Sequence, residues 1–208
     1  MLEIETKNRT IKFYEDTDYK ASIKHCLEPP KSAKKKSYLP FKKKVLAEIA
    51  SWFPKKASVL EVCAGNGYTS ELLRRQLVAD AQLLKYRATE LFSGEQKFTE
   101  SLERGLASEA AVKKYASDFN VLVMIAPPHN SYADYYAIKE FELVESKSPK
   151  HLLYVGEIGQ CDGCEGMDKY LFGGSGWKLL HQATVFKFVD ILGAASSRNA
   201  HFFSFKND

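Results

Sequence analysis

Two carboxylates and a pair of glycines form the part of this sequence best suited to bind a small molecule. Glu61 lies within a short, almost fully apolar run that begins at Val59, and Gly65 and Gly67 follow it. Glu90 lies 23 positions after Gly67. Glycine lacks a Cβ and reaches backbone angles closed to other residues, so a flat ligand can lie against the backbone there. Because an acidic residue at the tip of the second strand of a doubly wound sheet accepts hydrogen bonds from both ribose hydroxyls, this spacing predicts a nucleoside site.

A second group that can do chemistry is His129, which follows Ala126, Pro127 and Pro128 at the end of a strongly apolar run. Imidazole has an unperturbed pKa of about 6.5, so it can act as a general base near neutral pH. It can equally orient a reacting group. The alternative is a surface loop residue with no chemical role, and the sequence leaves both interpretations open.

Cys161 and Cys164 form an isolated C-x-x-C pair in a turn-rich segment. A structural zinc site needs four ligands, and no second pair stands at a suitable spacing. A redox pair would normally begin a helix within a thioredoxin-like pattern, which this sequence lacks. We therefore expect no metal site and no special role for these two residues. With four cysteines in the whole chain, free thiols in a reducing compartment are expected.

Alternating helical and strand patterns predict an α/β domain that brings these groups together. Helical spacing is found over residues 40–53, 69–80 and 131–144, and again after residue 166. One strand pattern starts at residue 59. Further strand patterns cover residues 81–90, 98–102, 119–125, 151–157, 177–189 and 201–205, and residues 193–199 are predicted to connect the last two. Residues 1–16 alternate weakly, which indicates a small hairpin or an extended arm.

Length and composition limit the class of protein. A chain of 208 residues with 45% hydrophobic content suits one α/β domain with a proper core. No run of 18 apolar residues occurs, and the first residues lack the layout of a secretion signal. We expect a soluble intracellular protein, cytoplasmic or nuclear, without a membrane partner. The net charge of +4 permits an anionic partner without requiring one.

Much of the positive charge is concentrated in one short segment. Its members are Lys31, Lys34, Lys35, Lys36, Lys42, Lys43 and Lys44. One interpretation is a solvated linker that leads into the next helix, as most charge runs do. The other is a contact with a nucleic acid or an acidic protein, because lysines near phosphates release counterions and steer association.

The run E-V-C-A-G-N-G resembles the first motif of the Rossmann-fold (class I) S-adenosylmethionine (SAM) methyltransferases, an acidic residue and two variable residues before [AG]-x-G. A dinucleotide-binding loop would carry a third glycine where Ser70 stands. SAM has a cationic sulfonium and no pyrophosphate, which suits an acidic residue before the loop. The resemblance implies SAM as cofactor. It implies these cofactor-binding residues: Glu61, Ala64, Gly65, Asn66, Gly67, Glu90, Leu91 and Ala126.

The stretch A-P-P-H from Ala126 to His129 resembles the fourth methyltransferase motif, which follows the fourth strand and meets the methyl acceptor. Enzymes that methylate exocyclic amines carry [DNS]-P-P-[YFW] there. This sequence keeps Pro127 and Pro128 but has no polar first residue and no aromatic last residue. The resemblance therefore places Pro127, Pro128 and His129 at the catalytic position and leaves the acceptor open among nucleic acids, proteins and small molecules.

The order of elements resembles the whole methyltransferase fold. Three short motifs, P-P, Y-V-G-E and W-K-L-L, also resemble those of a poorly characterised group within that superfamily. The implied fold is a doubly wound, mostly parallel seven-stranded α/β sheet that ends in an antiparallel strand pair. Residues 1–36 would form an N-terminal extension with the basic segment, and residues 37–208 the methyltransferase-like domain. The rival hypothesis is a protein that kept the SAM pocket and lost the chemistry, serving as a binding or scaffold module.

Overall fold

The computed structural model describes residues 2–6, 9–13, 42–91, 100–129, 131–146, 148–158, 162–189 and 195–205, with the backbone alone for residues 2–6, 9–13, 186–189 and 195–197. Its strands are β1 (Leu2–Thr6), β2 (Arg9–Phe13), β3 (Ala57–Val62), β4 (Leu83–Glu90), β5 (Leu102–Arg104), β6 (Val121–Ile125), β7 (Lys150–Gly156), β8 (Trp177–Val189) and β9 (Ala195–Phe205). Its helices are α1 (Lys43–Ser51), α2 (Tyr68–Ala79), α3 (Ser108–Tyr115), α4 (Ala133–Leu143) and α5 (Met167–Phe172).

Seven strands form one sheet in the order β5-β4-β3-β6-β7-β9-β8. The first five of these pair in parallel, and β9 runs antiparallel to both β7 and β8. The chain moves outward from β3 to β4 and β5, then returns to place β6 on the other side of β3. In such sheets ligands bind at this reversal, beyond the carboxyl ends of the strands. The predicted doubly wound sheet with its closing antiparallel pair is confirmed.

Both faces of the sheet are covered, which explains the nearly continuous apolar pattern of β3. Val59 packs in one core with Leu73 and the other apolar residues of α1 and α2. Its neighbour Leu60 points to the opposite core, which contains Ile138 and the apolar residues of α3, α4 and α5. A strand buried on both faces needs apolar residues at every position. No helix within the described ranges has the length and apolar character that a bilayer span requires.

The structure corrects two sequence predictions. The third strand, predicted over residues 98–102, is Leu102–Arg104, where Ala88 of β4 pairs with Leu102. The last strand begins at Ala195, so residues 195–199 are strand where a connection was predicted. Both errors have one cause. Pairing with a neighbouring strand fixes these short or polar stretches, and their own residue pattern does not signal it.

The N-terminal residues form a separate two-stranded antiparallel sheet in which Ile4 pairs with Ile11. Of the two predicted alternatives, a small hairpin and an extended arm, the structure shows the hairpin. The proposed boundary between residues 36 and 37, together with Lys31, Lys34, Lys35 and Lys36, lies outside the described residues. Lys42 to Lys44 are described, and they begin α1.

Candidate functional site

The loop between β3 and α2 has a backbone that only a few residue types accept easily. Cys63, Gly65 and Gly67 all have positive φ, at 58°, 58° and 78°. A Cβ built on Gly65 would meet no atom within 4 Å, so its glycine is needed for the backbone angle and the space beside it is open. The amide of Gly67 donates to the carbonyl of Ala64 at 3.0 Å and closes the turn. Exposed backbone and open space therefore meet at the start of α2, where helix amides face outward.

Glu90 joins this loop to the end of β4. Its Oε2 accepts a hydrogen bond from the Gly65 amide at 2.6 Å. Thr89, the preceding residue, also binds the loop, because its carbonyl accepts a hydrogen bond from the Ala64 amide at 3.1 Å. Glu90 and Gly65, which lie 25 positions apart in sequence, thus meet at one point of the sheet edge. Leu91 follows Glu90 and is half-buried at the same edge.

Glu61 lies beneath the loop and is almost completely buried, with 1% of its surface exposed. Tyr86 of β4 donates its hydroxyl to Glu61 Oε2 at 2.5 Å. Burial raises the pKa of Glu61 to about 7, although the hydrogen bond from Tyr86 opposes the shift. Sequence reasoning missed Tyr86, because only the register of β3 against β4 brings it near Glu61. Glu61 is therefore a buried acid of β3 that is hydrogen-bonded to β4.

The segment after β6 carries the predicted catalytic residues. Ala126 has a φ of 49°, and its amide donates to the carbonyl of Val155 at 2.7 Å. Pro127 is buried, Pro128 is half-buried and His129 is exposed. The structure thus places these four residues at the same edge as the glycine loop, with the imidazole accessible to solvent.

A buried carboxylate braces this segment from below. Asp134, at the start of α4, accepts the hydroxyl of Tyr154 at 2.8 Å and the amide of Cys164 at 3.1 Å. Gly163 fits against this pair, since a Cβ there would lie 2.0 Å from Tyr154 Oη and 2.1 Å from Asp134 Oδ2. The amide of Gly163 in turn donates to the carbonyl of Pro127 at 3.0 Å. The brace therefore links α4, β7 and the Pro-Pro segment.

An ion cluster closes the site on the side of β9. Arg198 pairs with Glu157 at 2.6 Å and with Asp162 at 2.5 Å. The amide of Glu157 also donates to Asp162 Oδ2 at 2.8 Å. Burial raises the pKa of Asp162, and the nearby charges of Arg198 and His129 act in the opposite direction. Sequence reasoning missed this cluster, because Arg198 of β9 is far in sequence from Glu157 and Asp162.

The cysteines take structural positions in the described part of the chain. Cys164 is buried, with its amide bound to Asp134, while Cys161 lies outside the described residues. Burial, aided by the carboxylates of Glu90 and Asp134, raises the pKa of the Cys63 thiol and keeps it protonated. Among the described residues, no group of three or more His, Cys, Asp and Glu side chains could hold a metal ion.

Comparison with known proteins supports the fold independently. No protein-family model matches the sequence, and no curated protein matches it either. Among solved structures, a protein in the NADB-Rossmann superfamily from Streptococcus agalactiae aligns with a TM-score of 0.51, at 15% identity over 82% of this chain and 71% of that one.

Two further structures align at a TM-score of 0.50. One is a Streptococcus pneumoniae protein provisionally described as a tRNA (m1A22) methyltransferase, at 13% identity over 81% of this chain and 72% of that one. The same protein has also been solved with SAM bound. The other is a SAM-dependent methyltransferase from Aquifex aeolicus, at 10% identity over 80% of this chain and 90% of that one. The chain has the Rossmann-like fold of class I SAM-dependent methyltransferases.

The raised pKa of Glu61 predicts a specific dependence of stability on pH. Because the folded state holds the proton more tightly than the unfolded chain, the stabilisation is complete below pH 4.5 and is lost as pH rises through about 7. Glu61→Gln is neutral at every pH. We expect the free energy of unfolding of the variant, relative to wild type, to increase by up to roughly 3 kcal/mol between acidic and mildly alkaline pH.

Urea unfolding at several pH values measures this difference, with Glu103→Gln as the matched control. Glu103 also accepts a tyrosine hydroxyl, from Tyr115 at 2.5 Å, but that hydrogen bond lowers its pKa. Its variant should therefore show no gain in relative stability as pH rises. A flat difference for Glu61→Gln over the same window would show that the carboxylate is ionised in the folded protein.

The fit of Gly163 predicts that Gly163→Ala strongly destabilises the protein. The added Cβ would collide with Tyr154 and Asp134, and the φ of 76° disfavours alanine. We expect a loss of at least roughly 2 kcal/mol in the free energy of unfolding. Gly105→Ala separates the two causes, because its φ is 80° but no atom lies within 4 Å of the new Cβ. Equal losses in both variants would exclude the collision as the main cause.

Proposed function

We propose that this protein is a SAM-dependent methyltransferase. The observation that carries the proposal is the 2.6 Å hydrogen bond from the Gly65 amide to Glu90. It brings a glycine loop and an acidic strand end together beside β3, where the strand order reverses. In a doubly wound sheet this is the position at which a nucleoside is held. The fold, found also in the methyltransferase from Aquifex aeolicus, supports the same assignment.

The residues around the loop fit SAM in size and charge. The open space beside Gly65 admits a ligand against the backbone. Glu90, near the protein surface at 8% exposure, would accept the ribose hydroxyls, and the backbone from Ala64 to Gly67 would hold the methionine part. Glu61 would contribute negative charge from below. When bound, SAM supplies a methyl group on an electrophilic sulfonium.

The groups on the acceptor side belong to the segment after β6. Methyl transfer needs an aligned acceptor and a base for any acceptor that must lose a proton. His129 is exposed at this edge and near the carboxylate of Asp162, so it would take that proton or orient the acceptor. Ala126 offers no side-chain hydrogen bond. We propose an acceptor other than an amine held in the manner of the [DNS]-P-P-[YFW] enzymes, with nucleic acids, proteins and small molecules as the candidate classes.

One observation favours a second function, a SAM-fold binding or scaffold protein without activity. The carboxylates nearest the Pro-Pro segment are already bound within the protein, Asp134 by Tyr154 and Asp162 by Arg198. Carboxylates that are already hydrogen-bonded or ion-paired within the protein are less able to bind and position a methyl acceptor. Binding and transfer experiments together distinguish the two functions.

Cofactor binding is the first test. Titration calorimetry should detect SAM and S-adenosylhomocysteine, and Glu90→Ala should weaken both by roughly 1–3 kcal/mol, since hydrogen bonds to a charged group are lost. Glu90→Gln keeps an oxygen that can accept from the Gly65 amide and should lose less. Glu103→Gln, a carboxylate on the neighbouring strand β5, is the control and should bind normally. Heat with NAD, and none with SAM or its product, would instead indicate a dinucleotide enzyme.

Methyl transfer is the second test. Wild-type protein with radiolabelled SAM should label one fraction of a cell extract, and Glu90→Ala should abolish the label. If His129 takes a proton, His129→Ala should bind SAM normally yet transfer at least about a hundredfold more slowly. His181→Ala, on β8, is the histidine control and should remain active. Tight SAM binding with no label in any fraction would support the scaffold function.

A further inference from the structure

Eight cations of the described chain are neutralised by a neighbouring carboxylate, whereas exposed Lys55, Lys56, Lys169 and Lys178 have no ion pair within the described ranges. The neutralised pairs cover α2, the β4–β5 side of the sheet, α3, α4 and the start of β9. They are Arg74 and Arg75 with Glu71, Lys85 with Asp118, Arg87 and Lys114 with Glu103, Lys113 with Glu140, Lys139 with Glu142, and Arg198 with Glu157 and Asp162. Surfaces of this kind carry little net positive field.

The start of α1 differs. Lys42, Lys43 and Lys44 are three consecutive exposed lysines, and within the described ranges no carboxylate forms an ion pair with any of them. The first turn of α1 contains no acidic residue, whereas α2, α3 and α4 each have one. Positive charge at the amino end of a helix opposes the helix dipole. These lysines therefore lower the stability of α1, so an anion from outside would relieve an unfavourable arrangement.

The fold places these three lysines at the same edge as the candidate site. α1 ends at Ser51, and only residues 52–56 separate it from Ala57, which begins β3 at the amino edge of the sheet. α1 is about 13 Å long and packs on the sheet through its apolar face. Since its end lies toward the amino edge, its start lies toward the carboxyl edge. The glycine loop and His129 are at that edge.

The β8–β9 hairpin extends the same edge. β9 pairs with β7 only as far as Asn199, opposite Gly156, but β8 and β9 continue to the pair Val189 and Ala195. The hairpin therefore projects about 13 Å past the end of β7. α1 packs beside β8, where Trp52 stacks on His181 with ring centroids 5.5 Å apart. Among the described residues, these lysines thus lie between the glycine loop and a projecting hairpin.

We propose that Lys42, Lys43 and Lys44 are a docking surface for a nucleic acid strand, which rests on the proposed function in making that strand the methyl acceptor. Phosphates supply the missing negative charge. The sequence from residue 31 to residue 47 contains seven lysines, no arginine and no acidic residue. A nucleic acid carries a phosphate at every nucleotide, so a run of lysines without an acidic residue can contact several phosphates and release their counterions. The composition therefore favours a nucleic acid over an acidic protein.

Fluorescence anisotropy with a labelled single-stranded RNA and a DNA of the same sequence tests this docking surface. The variant K42Q/K43Q/K44Q is compared with K55Q/K56Q/K178Q, which removes the same charge from exposed lysines at the amino edge of the sheet. We expect the first variant to bind at least about tenfold more weakly at low salt. The slope of log affinity against log salt concentration should become shallower by about two, since each phosphate contact contributes roughly 0.7. The second variant should change by less than about twofold.

The outcomes are distinct. Equal loss in the two variants would overturn the proposal, because net charge alone would explain the binding, and so would wild-type affinity in the first variant. Competition by polyglutamate as strong as by RNA would replace the nucleic acid by an acidic protein. A preference for RNA or DNA identifies the source of the strand. SAM calorimetry on the same samples is independent: nucleic acid binding without SAM binding would leave the docking surface intact and remove the methyltransferase.

Discussion

The candidate site depends on how the carboxyl ends of β3 and β4 are joined. The chain leaves β3 through a loop that must turn sharply into α2, and its amides need partners. Thr89 and Glu90 supply them through the bonds to Ala64 and Gly65. A hydrogen bond to a carboxylate is roughly twice as strong as one between neutral groups. The same interaction that fixes the loop therefore also fixes an acidic side chain beside open space, which makes a binding site out of a strand junction.

Three of the five non-glycine residues with positive φ in the described chain lie at this edge, and the other two, Lys56 and Ala81, precede β3 and β4. Cys63, Ala126 and Tyr132 are non-glycine residues with φ between 49° and 58°, and they lie after β3, after β6 and before α4. Such conformations cost on the order of 1–3 kcal/mol each and persist only when the surrounding structure enforces them. Here the enforcement comes from the sheet, through the amide of Ala126, and from the buried brace of Asp134 and Tyr154. Strain supported in this way holds a segment in one position for a ligand.

The two signs of charge are separated. Glu61 and Asp134 are buried acids whose pKa values are raised by burial, while Lys42, Lys43 and Lys44 are exposed and carry no described partner. A cationic ligand group near the loop would lower the pKa of Glu61 and reduce the cost of its charge. An anionic partner bound at the surface would offset the repulsion among the three lysines and between them and the dipole of α1. The arrangement thus suits a small cationic ligand inside the edge and a large anionic one beside it.

The sequence by itself determined the strands buried on both faces, the glycine turn and the acidic strand end, because apolar runs, glycine and residue spacing are local signals. It did not determine the strand Leu102–Arg104, the early start of β9, or the contacts of Glu61 with Tyr86 and of Arg198 with Asp162. These depend on which strands lie side by side and in what register. Residues far apart in sequence meet only after the sheet has formed, so their types alone carried no sign of the pairing.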